Sequence, residues 1–143
     1  LHSAPRVPLA AVDDVPIAHE RVTLRNVQLA RRLAHDWITA WNRHDVHAIL
    51  RHYAPDVEFT SPFVSTLSAD ASGTIRGHEA LRTYFQKGLN AYPDLRFDPI
   101  RVLTGVGSLV LFYRSVQGLL AAEMMTVNGE GLIHTVRVHY VRE

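Results

Sequence analysis

The sequence predicts an α+β domain in which three helices of the N-terminal half pack on one face of a curved antiparallel sheet and enclose a cavity. Two observations predict this architecture. Apolar residues recur at the three- and four-residue spacing of helices in much of the first half, whereas from residue 95 onward the segments have the character of strands. Short turns separate these later segments, and turns of that length join antiparallel neighbours.

The chain is predicted to be an arm followed by one domain. Residues 1–17 are expected to form an irregular N-terminal arm, because Pro5, Pro8 and Pro16 interrupt a run of small residues. The remainder, residues 18–143, is expected to fold as a single unit, since 143 residues leave little room for a second domain. No internal repeat or low-complexity tract divides it.

Three helices are predicted. The first runs from about Ala18 to Asn42, and the second from Asp45, a plausible N-cap, to Tyr53. The third spans Gly77–Leu89. The first helix has the longest apolar face, made of Val27, Ala30, Ala34, Trp37, Ile38 and Trp41. That face is too apolar for water, so this helix is expected to lie across the mouth of the cavity.

Five longer strands are predicted. The first is Asp56–Phe63, followed by a loop of small and polar residues over Ser65–Gly73. The later four are Leu95–Leu103, Ser108–Val116, Leu119–Val127 and Leu132–Val141. The turn Asn128–Gly131 is a good hairpin signal between the last two.

Composition excludes several classes of function. Fifteen basic residues against fourteen acidic ones give a net charge of +1, which argues against a nucleic-acid partner held through phosphates. No apolar run approaches the ~20 residues of a membrane helix, so no membrane partner is expected and the cytoplasm is the default compartment. The chain has no cysteine, which excludes thiolate catalysis and Cys-based metal sites.

Glu123 is the main candidate for acid–base chemistry. It is the single charged residue in the apolar strand Leu119–Val127. Because alternate residues of a strand face opposite sides, Glu123 points either to solvent or into the cavity. If it enters the cavity, desolvation should raise its pKa and make it a usable acid or base.

Histidines are weaker candidates. His139 is a second candidate for proton transfer, although a structural role is the simpler interpretation. It lies five residues from His134 on one strand, so the two face opposite sides and cannot share a metal. His44, His47 and His52 have no clear third type of ligand nearby, so no metal site is predicted.

Aromatic side chains and one methionine are predicted to line the cavity and bind a substrate. This set consists of Trp37, Trp41, Phe59, Phe63, Tyr84, Met125 and Tyr140. The same residues could equally fill a solid core, so they indicate an apolar ligand only in combination with the fold.

Four stretches, namely residues 37–62, 73–85, 92–97 and 128–133, resemble the nuclear transport factor 2-like superfamily, and within it the SnoaL-like polyketide cyclases and the ketosteroid isomerases. The resemblance covers most of the chain. It implies a cystatin-like fold with a cone-shaped pocket, no metal or other cofactor, and a homodimer paired through the outer face of the sheet. It is weak evidence for one activity, because this pocket hosts many reactions.

The resemblance also assigns family positions. The isomerase general base corresponds to Ser61, which precedes Pro62, and the isomerase oxyanion-hole tyrosine corresponds to Trp37. The protonated carboxylic acid corresponds to Glu123. A carboxylate that cyclases and epoxide hydrolases carry on the last strand corresponds to His139, and the epoxide hydrolase arginine to Ala121. Steroid isomerisation with an aspartate base is therefore not expected.

Two functions remain open from the sequence. The first is a cofactor-free cyclase or isomerase that moves a proton on a hydrophobic cyclic carbonyl compound, with Glu123 as acid or base and His139 or Ser61 polarising the substrate. The alternative is a non-catalytic ligand-binding or protein-interaction module of the same fold. It is motivated by the loss of the base at Ser61 and of the phenol at Trp37.

Overall fold

The computed structural model describes residues 20–68 and 70–142. The helices are α1 (Glu20–Asn42), α2 (Val46–Leu50), α3 (Pro62–Ser68) and α4 (His78–Ala91), with a 3₁₀ turn at Val116–Gly118. The strands are β1 (Tyr53–Thr60), β2 (Thr74–Arg76), β3 (Asp98–Gly105), β4 (Ser108–Arg114), β5 (Leu120–Val127) and β6 (Ile133–Val141). The predicted arm, residues 1–17, lies outside the described residues.

The six strands form one curved sheet in the order β2-β1-β6-β5-β4-β3. The predicted α+β class is confirmed, but the prediction of a purely antiparallel sheet is wrong. β1 runs parallel to β6, whereas every other neighbouring pair is antiparallel. The short turns that predicted antiparallel pairing join only the later strands. β1 reaches β6 through the rest of the chain, which allows the parallel orientation.

The second helix is shorter than predicted. Asp45 caps it as expected, since its carboxylate accepts a hydrogen bond from the Ala48 N–H at 3.1 Å. The helix ends at Leu50, because the chain then pairs with the last strand: the Ile133 N–H donates to the His52 carbonyl at 2.8 Å. Tyr53, predicted to end this helix, is the first residue of β1.

A fourth helix, α3, replaces the end of the predicted first strand and the start of the predicted loop. Ser61 caps it, with its hydroxyl accepting a hydrogen bond from the Phe63 N–H at 3.3 Å, and Pro62 is its first residue. Serine before proline is a preferred helix start. Gly73 makes this turn possible: its φ is +68°, and a Cβ on it would lie 3.3 Å from the Ser61 carbonyl oxygen.

The end of α1 is fastened to the segment that leads into β3. The Asn42 amide donates to the Phe97 carbonyl at 3.0 Å and accepts from the Phe97 N–H at 2.7 Å. His44 lies 2.8 Å from the Leu95 carbonyl through its Nε2. These contacts hold residues 95–97 against the helix, so β3 begins at Asp98 and not at Leu95 as predicted.

The core lies between α1, α4 and the inner face of the sheet. The Trp37 ring packs against Phe97 at a centroid distance of 5.7 Å, and the Trp41 ring packs edge-on against Phe85 at 4.8 Å. The Trp37 N–H donates to the Tyr53 hydroxyl at 2.8 Å. These ring contacts fix α1 across the sheet, as its apolar face predicted. Among the described residues, no helix is long and apolar enough to span a membrane.

Candidate active site

Strand alternation turns Glu123 into the protein. On β5 it lies opposite Leu111 of β4 and Val138 of β6, both of which are buried. Glu123 itself is 2% exposed. Of the two orientations that the sequence left open, the structure has the inward one.

The Tyr113 hydroxyl is the hydrogen-bond partner of this carboxyl. It donates to the Glu123 Oε1 at 2.7 Å, and both side chains are buried. Tyr113 lies on β4 opposite Ala121, so its phenol reaches across to the carboxyl two residues further along β5. A short bond of this kind supports the carboxyl in either protonation state, because a phenol can donate to a carboxylate or to a carboxylic acid.

The carboxyl lines an aromatic cavity between the helices and the sheet. The cavity has a volume of about 60 Å³. The enclosed lining residues are Trp37, Trp41, Phe59, Tyr84, Phe85, Leu95, Phe97, Tyr113, Ser115 and Glu123. The half-buried ones, which mark the mouth, are Phe63, Leu67, Gly88, Tyr92, Val116 and Tyr140. The lining therefore suits a largely apolar molecule. Because an apolar cavity of about 150 Å³ holds one benzene ring, a ring compound would have to extend through the mouth.

Burial shifts the protonation of the site toward neutral groups. Desolvation raises the pKa of Glu123 from 4.5 to about 7, and the hydrogen bond from Tyr113 partly opposes that rise. Burial also raises the pKa of Tyr84 and of Tyr140 above the ordinary value of 10, with the negative charge of Glu123 adding to the rise. Near neutral pH the phenols remain donors while Glu123 populates both of its protonation states.

Most of the predicted substrate-binding residues line this cavity. They are Trp37, Trp41, Phe59, Phe63, Tyr84 and Tyr140. Met125 is buried on the same face of β5 as Glu123, but it belongs to the core beyond the cavity lining. Strand alternation turns Met125 inward like Glu123, but Met125 lies two residues further along β5 and therefore beyond the cavity.

Ser61 lies beside the cavity and caps α3. It is buried, and hydrogen bonding by its hydroxyl moderates the raised pKa of Tyr84 and of Tyr140. It is absent from the cavity lining. The hydrogen bond observed for its side chain is the one that caps the helix.

The structure does not bring His139 to the site. This residue is exposed on the outer face of the sheet, and its Nδ1 lies 3.3 Å from the Ala122 carbonyl. The physical reason is the alternation of β6, in which Val138 and Tyr140 turn inward and His139 therefore turns outward. The sequence-based role of His139 in proton transfer is corrected on this ground.

Two site residues were missed. Neither Tyr113 nor Ser115 is among the residues that the sequence predicts for the site. Both follow Leu111 at two-residue spacing on an apolar strand, so alternation alone places them on the same face. The pairing of Tyr113 with Glu123 needs the register between β4 and β5, which the sequence does not supply.

Comparison with known proteins identifies the family of this chain. The model of the SnoaL-like domain matches residues 34–140. The chain belongs to the SnoaL-like family. A SnoaL-like protein of unknown function from Burkholderia thailandensis is 36% identical over 80% of this chain and 96% of its own, with a TM-score of 0.78.

Two more distant structures share the fold of this SnoaL-like protein. A candidate ketosteroid isomerase from Kribbella flavida is 20% identical, with 81% and 80% of the two chains covered and a TM-score of 0.64. SalBIII, an epoxide hydrolase/cyclase-like enzyme with a role in pyran ring formation in the polyether salinomycin, is 18% identical, with 81% and 93% covered and a TM-score of 0.64. No curated protein matches the sequence.

Glu123 should make stability depend on pH between its two pKa values. Folding raises its pKa from 4.5 to about 7, so in that range the folded state binds more protons than the unfolded state. The free energy of unfolding should therefore decrease as the pH rises from 4.5 to 7, by about 3 kcal/mol in total, and level off above. Urea unfolding at a series of pH values measures this.

The Glu123→Gln variant isolates that contribution, because glutamine has nearly the same shape and does not titrate. The difference in free energy of unfolding between the wild type and Glu123→Gln should show the decrease with pH. Glu130→Gln, a change in the exposed β5–β6 turn, should keep the wild-type pH dependence. Parallel curves for wild type and Glu123→Gln would contradict a raised pKa of Glu123.

Proposed function

We propose that this SnoaL-like protein binds a hydrophobic cyclic carbonyl compound in the cavity and moves a proton next to the carbonyl without a cofactor, as a cyclase or isomerase does. The observation that carries the proposal is the Glu123 carboxyl, which lines a largely aromatic cavity and has a pKa of about 7. A general base is most effective when its pKa lies near the working pH.

The reaction begins with proton removal by Glu123. The carboxylate takes a proton from the carbon next to the carbonyl, the C–H electron pair forms the double bond of an enolate, and the carbonyl pair moves to oxygen. In an isomerisation, protonated Glu123 returns the proton to another carbon. In an aldol cyclisation, the enolate carbon bonds to a second carbonyl carbon, and Glu123 protonates the alkoxide that results. Neither route needs an oxidant or reductant.

The enolate oxygen requires donors, and the cavity supplies neutral phenols. Tyr84 and Tyr140 line it with hydroxyls whose pKa is raised by burial, so they stay protonated. A preorganised donor in a water-poor site stabilises a developing oxyanion more than water does. The aromatic walls favour a flat, uncharged substrate, because a charged ligand would lose its hydration without an opposite charge to meet it.

A second candidate function is ligand binding without catalysis. The position of the isomerase base is Ser61, which is engaged in capping α3. The position of the isomerase phenol is Trp37, whose N–H already donates to Tyr53. In the described part of the chain, Glu123 is the single carboxyl or imidazole that lines the cavity, so catalysis requires this one group to act as both base and acid.

We also propose that two copies of the chain pair through the outer face of the sheet. Apolar side chains there alternate with the inward ones, and they occupy adjacent register positions on β3, β4 and β5. This outer patch consists of Leu103, Val110, Phe112, Ala122 and Met124. Leu103 is 55% exposed, and an apolar patch of this extent on three strands is typical of an interface.

Proton transfer can be tested with 2-tetralone, a cyclic ketone whose C1 protons exchange through an enolate. In D₂O near neutral pH, the wild-type protein should accelerate loss of the C1 proton signal in ¹H NMR above the buffer rate. Glu123→Gln should lower the accelerated rate by about 10²–10⁴-fold, the usual contribution of a general base. Glu130→Gln, the same substitution at an exposed position, should keep the wild-type rate.

Binding is followed separately by fluorescence. The chain has two tryptophans, and both line the cavity, so quenching by 2-tetralone reports occupancy directly. Quenching without any accelerated exchange would contradict catalysis and favour the non-catalytic function. Equal exchange rates for the wild type and Glu123→Gln would remove Glu123 from the mechanism.

The dimer has its own test. Light scattering after gel filtration at micromolar concentration should give twice the 16.1 kDa chain mass. Phe112→Glu, in the outer patch, should give the single-chain mass, because it buries a charge in the interface. Leu29→Glu, at a residue of α1 that is 49% exposed, should leave the dimer intact. A wild-type monomer at this concentration would overturn the pairing.

A further inference from the structure

The wall at the mouth of the cavity is shared with a second, outer cleft. This outer cleft has room of about 310 Å³ and is lined by residues 91–96 and 115–117. Four residues line both spaces, namely Tyr92, Leu95, Ser115 and Val116. These residues lie where the cavity and the cleft adjoin.

Ser115 is the polar member of this wall, and its hydroxyl has no partner. The side chain belongs to a residue that is 7% exposed. Its backbone N–H donates to the Leu119 carbonyl at 2.7 Å, but within residues 20–68 and 70–142 the hydroxyl makes no hydrogen bond. Among the described residues, only Trp41 has a polar side-chain atom that is both fully buried and without a partner. The Ser115 hydroxyl is therefore accessible.

The backbone fixes the direction of this hydroxyl. Ser115 follows Tyr113 at two-residue spacing, so it faces inward while Arg114 is exposed. The bond from its N–H to Leu119 closes the turn that contains Gln117 at φ +56° and Gly118 at φ +71°. Because the hydroxyl is accessible and has no partner among the described residues, a ligand in the cavity can hydrogen-bond to it.

Ser115 and Glu123 line the same cavity at separate positions along the sheet. Glu123 is in register with Leu111, four residues before Ser115. Four residues of strand span about 13 Å. The backbones of the two residues are therefore well separated along the sheet. A ligand that contacts both side chains needs two polar groups with an apolar ring system between them.

We propose that Ser115 is a ligand-binding residue that hydrogen-bonds a second polar group of the ligand, on the side where the ligand continues into the outer cleft. The ligand class is then a flat, uncharged ring compound with one oxygen at Glu123 and a hydroxyl, ether or amide group at its far end. This inference rests on the proposed function in one respect, because it requires the ligand to occupy the same cavity.

Two naphthols test the contact. 2-Naphthol has one hydroxyl, and 2,6-dihydroxynaphthalene carries a second at the far end of the ring system. Quenching of Trp37 and Trp41 should give a Kd for the diol that is about tenfold lower than that for 2-naphthol. Twofold of this is the statistical advantage of a symmetric ligand, and the remaining fivefold corresponds to one neutral hydrogen bond.

Substitutions assign the difference to Ser115. In Ser115→Ala the ratio of the two Kd values should fall to about two while the Kd of 2-naphthol stays unchanged, and Ser115→Thr, which retains a hydroxyl, should keep a ratio well above two. Ser108→Ala, at a half-buried serine beyond the cavity lining, should keep the wild-type ratio. An unchanged ratio in Ser115→Ala, or the absence of any binding by the wild type, would overturn the proposal.

The outcome is separable from that of the proposed reaction. If the ratio depends on Ser115 but 2-tetralone exchange is not accelerated, the ligand contact stands and catalysis fails. If exchange depends on Glu123 but the ratio is unchanged in Ser115→Ala, catalysis stands and the role of Ser115 is wrong.

Discussion

The hydrogen bond between Tyr113 and Glu123 is the interaction on which the chemistry of the cavity depends. The Glu123 carboxyl is 2% exposed among aromatic rings and therefore loses most of its hydration. The hydrogen bond from the Tyr113 hydroxyl at 2.7 Å compensates only part of that lost hydration energy. The pKa of about 7 is the balance between these two effects. Trp37 and Trp41 pack on Phe97, which the Asn42 amide holds in place. This packing limits the access of water to Glu123 and so keeps its pKa raised.

The sequence predicts the helices and strands that have a clear hydrophobic period. It does not predict element boundaries that depend on backbone pairing with a distant segment. The α1 face and the later strands followed from spacing, because each buries one continuous side. Tyr53 was assigned to a helix, since nothing local shows that His52 will pair with Ile133, 81 positions away. The helix that begins at Pro62 was missed although serine and proline mark its start, because the small residues after it are also typical of a loop.

The site was predictable to the level of one strand face. Period-two alternation restricted Glu123 to one of two faces and left open which one it takes, and the same rule explains why His139 lies outside once Tyr140 faces the cavity. The partners of these groups were not predictable, because a partner across the sheet depends on register. Tyr113 and Ser115 became functional candidates only when β4 was placed beside β5. The family likeness supplies the fold and leaves the substrate to this local chemistry.

The central claim is that one buried carboxyl titrates near neutral pH and that Tyr113 tunes it. The most direct measurement is the ¹³C NMR titration of the glutamate side-chain carboxyl signals, with the signal of Glu123 assigned by its loss in Glu123→Gln. The account predicts a pKa of about 7 for this carboxyl, and a higher value in Tyr113→Phe, because the phenol that lowers it is gone. A pKa near 4.5 in the folded protein, or no change in Tyr113→Phe, would contradict it.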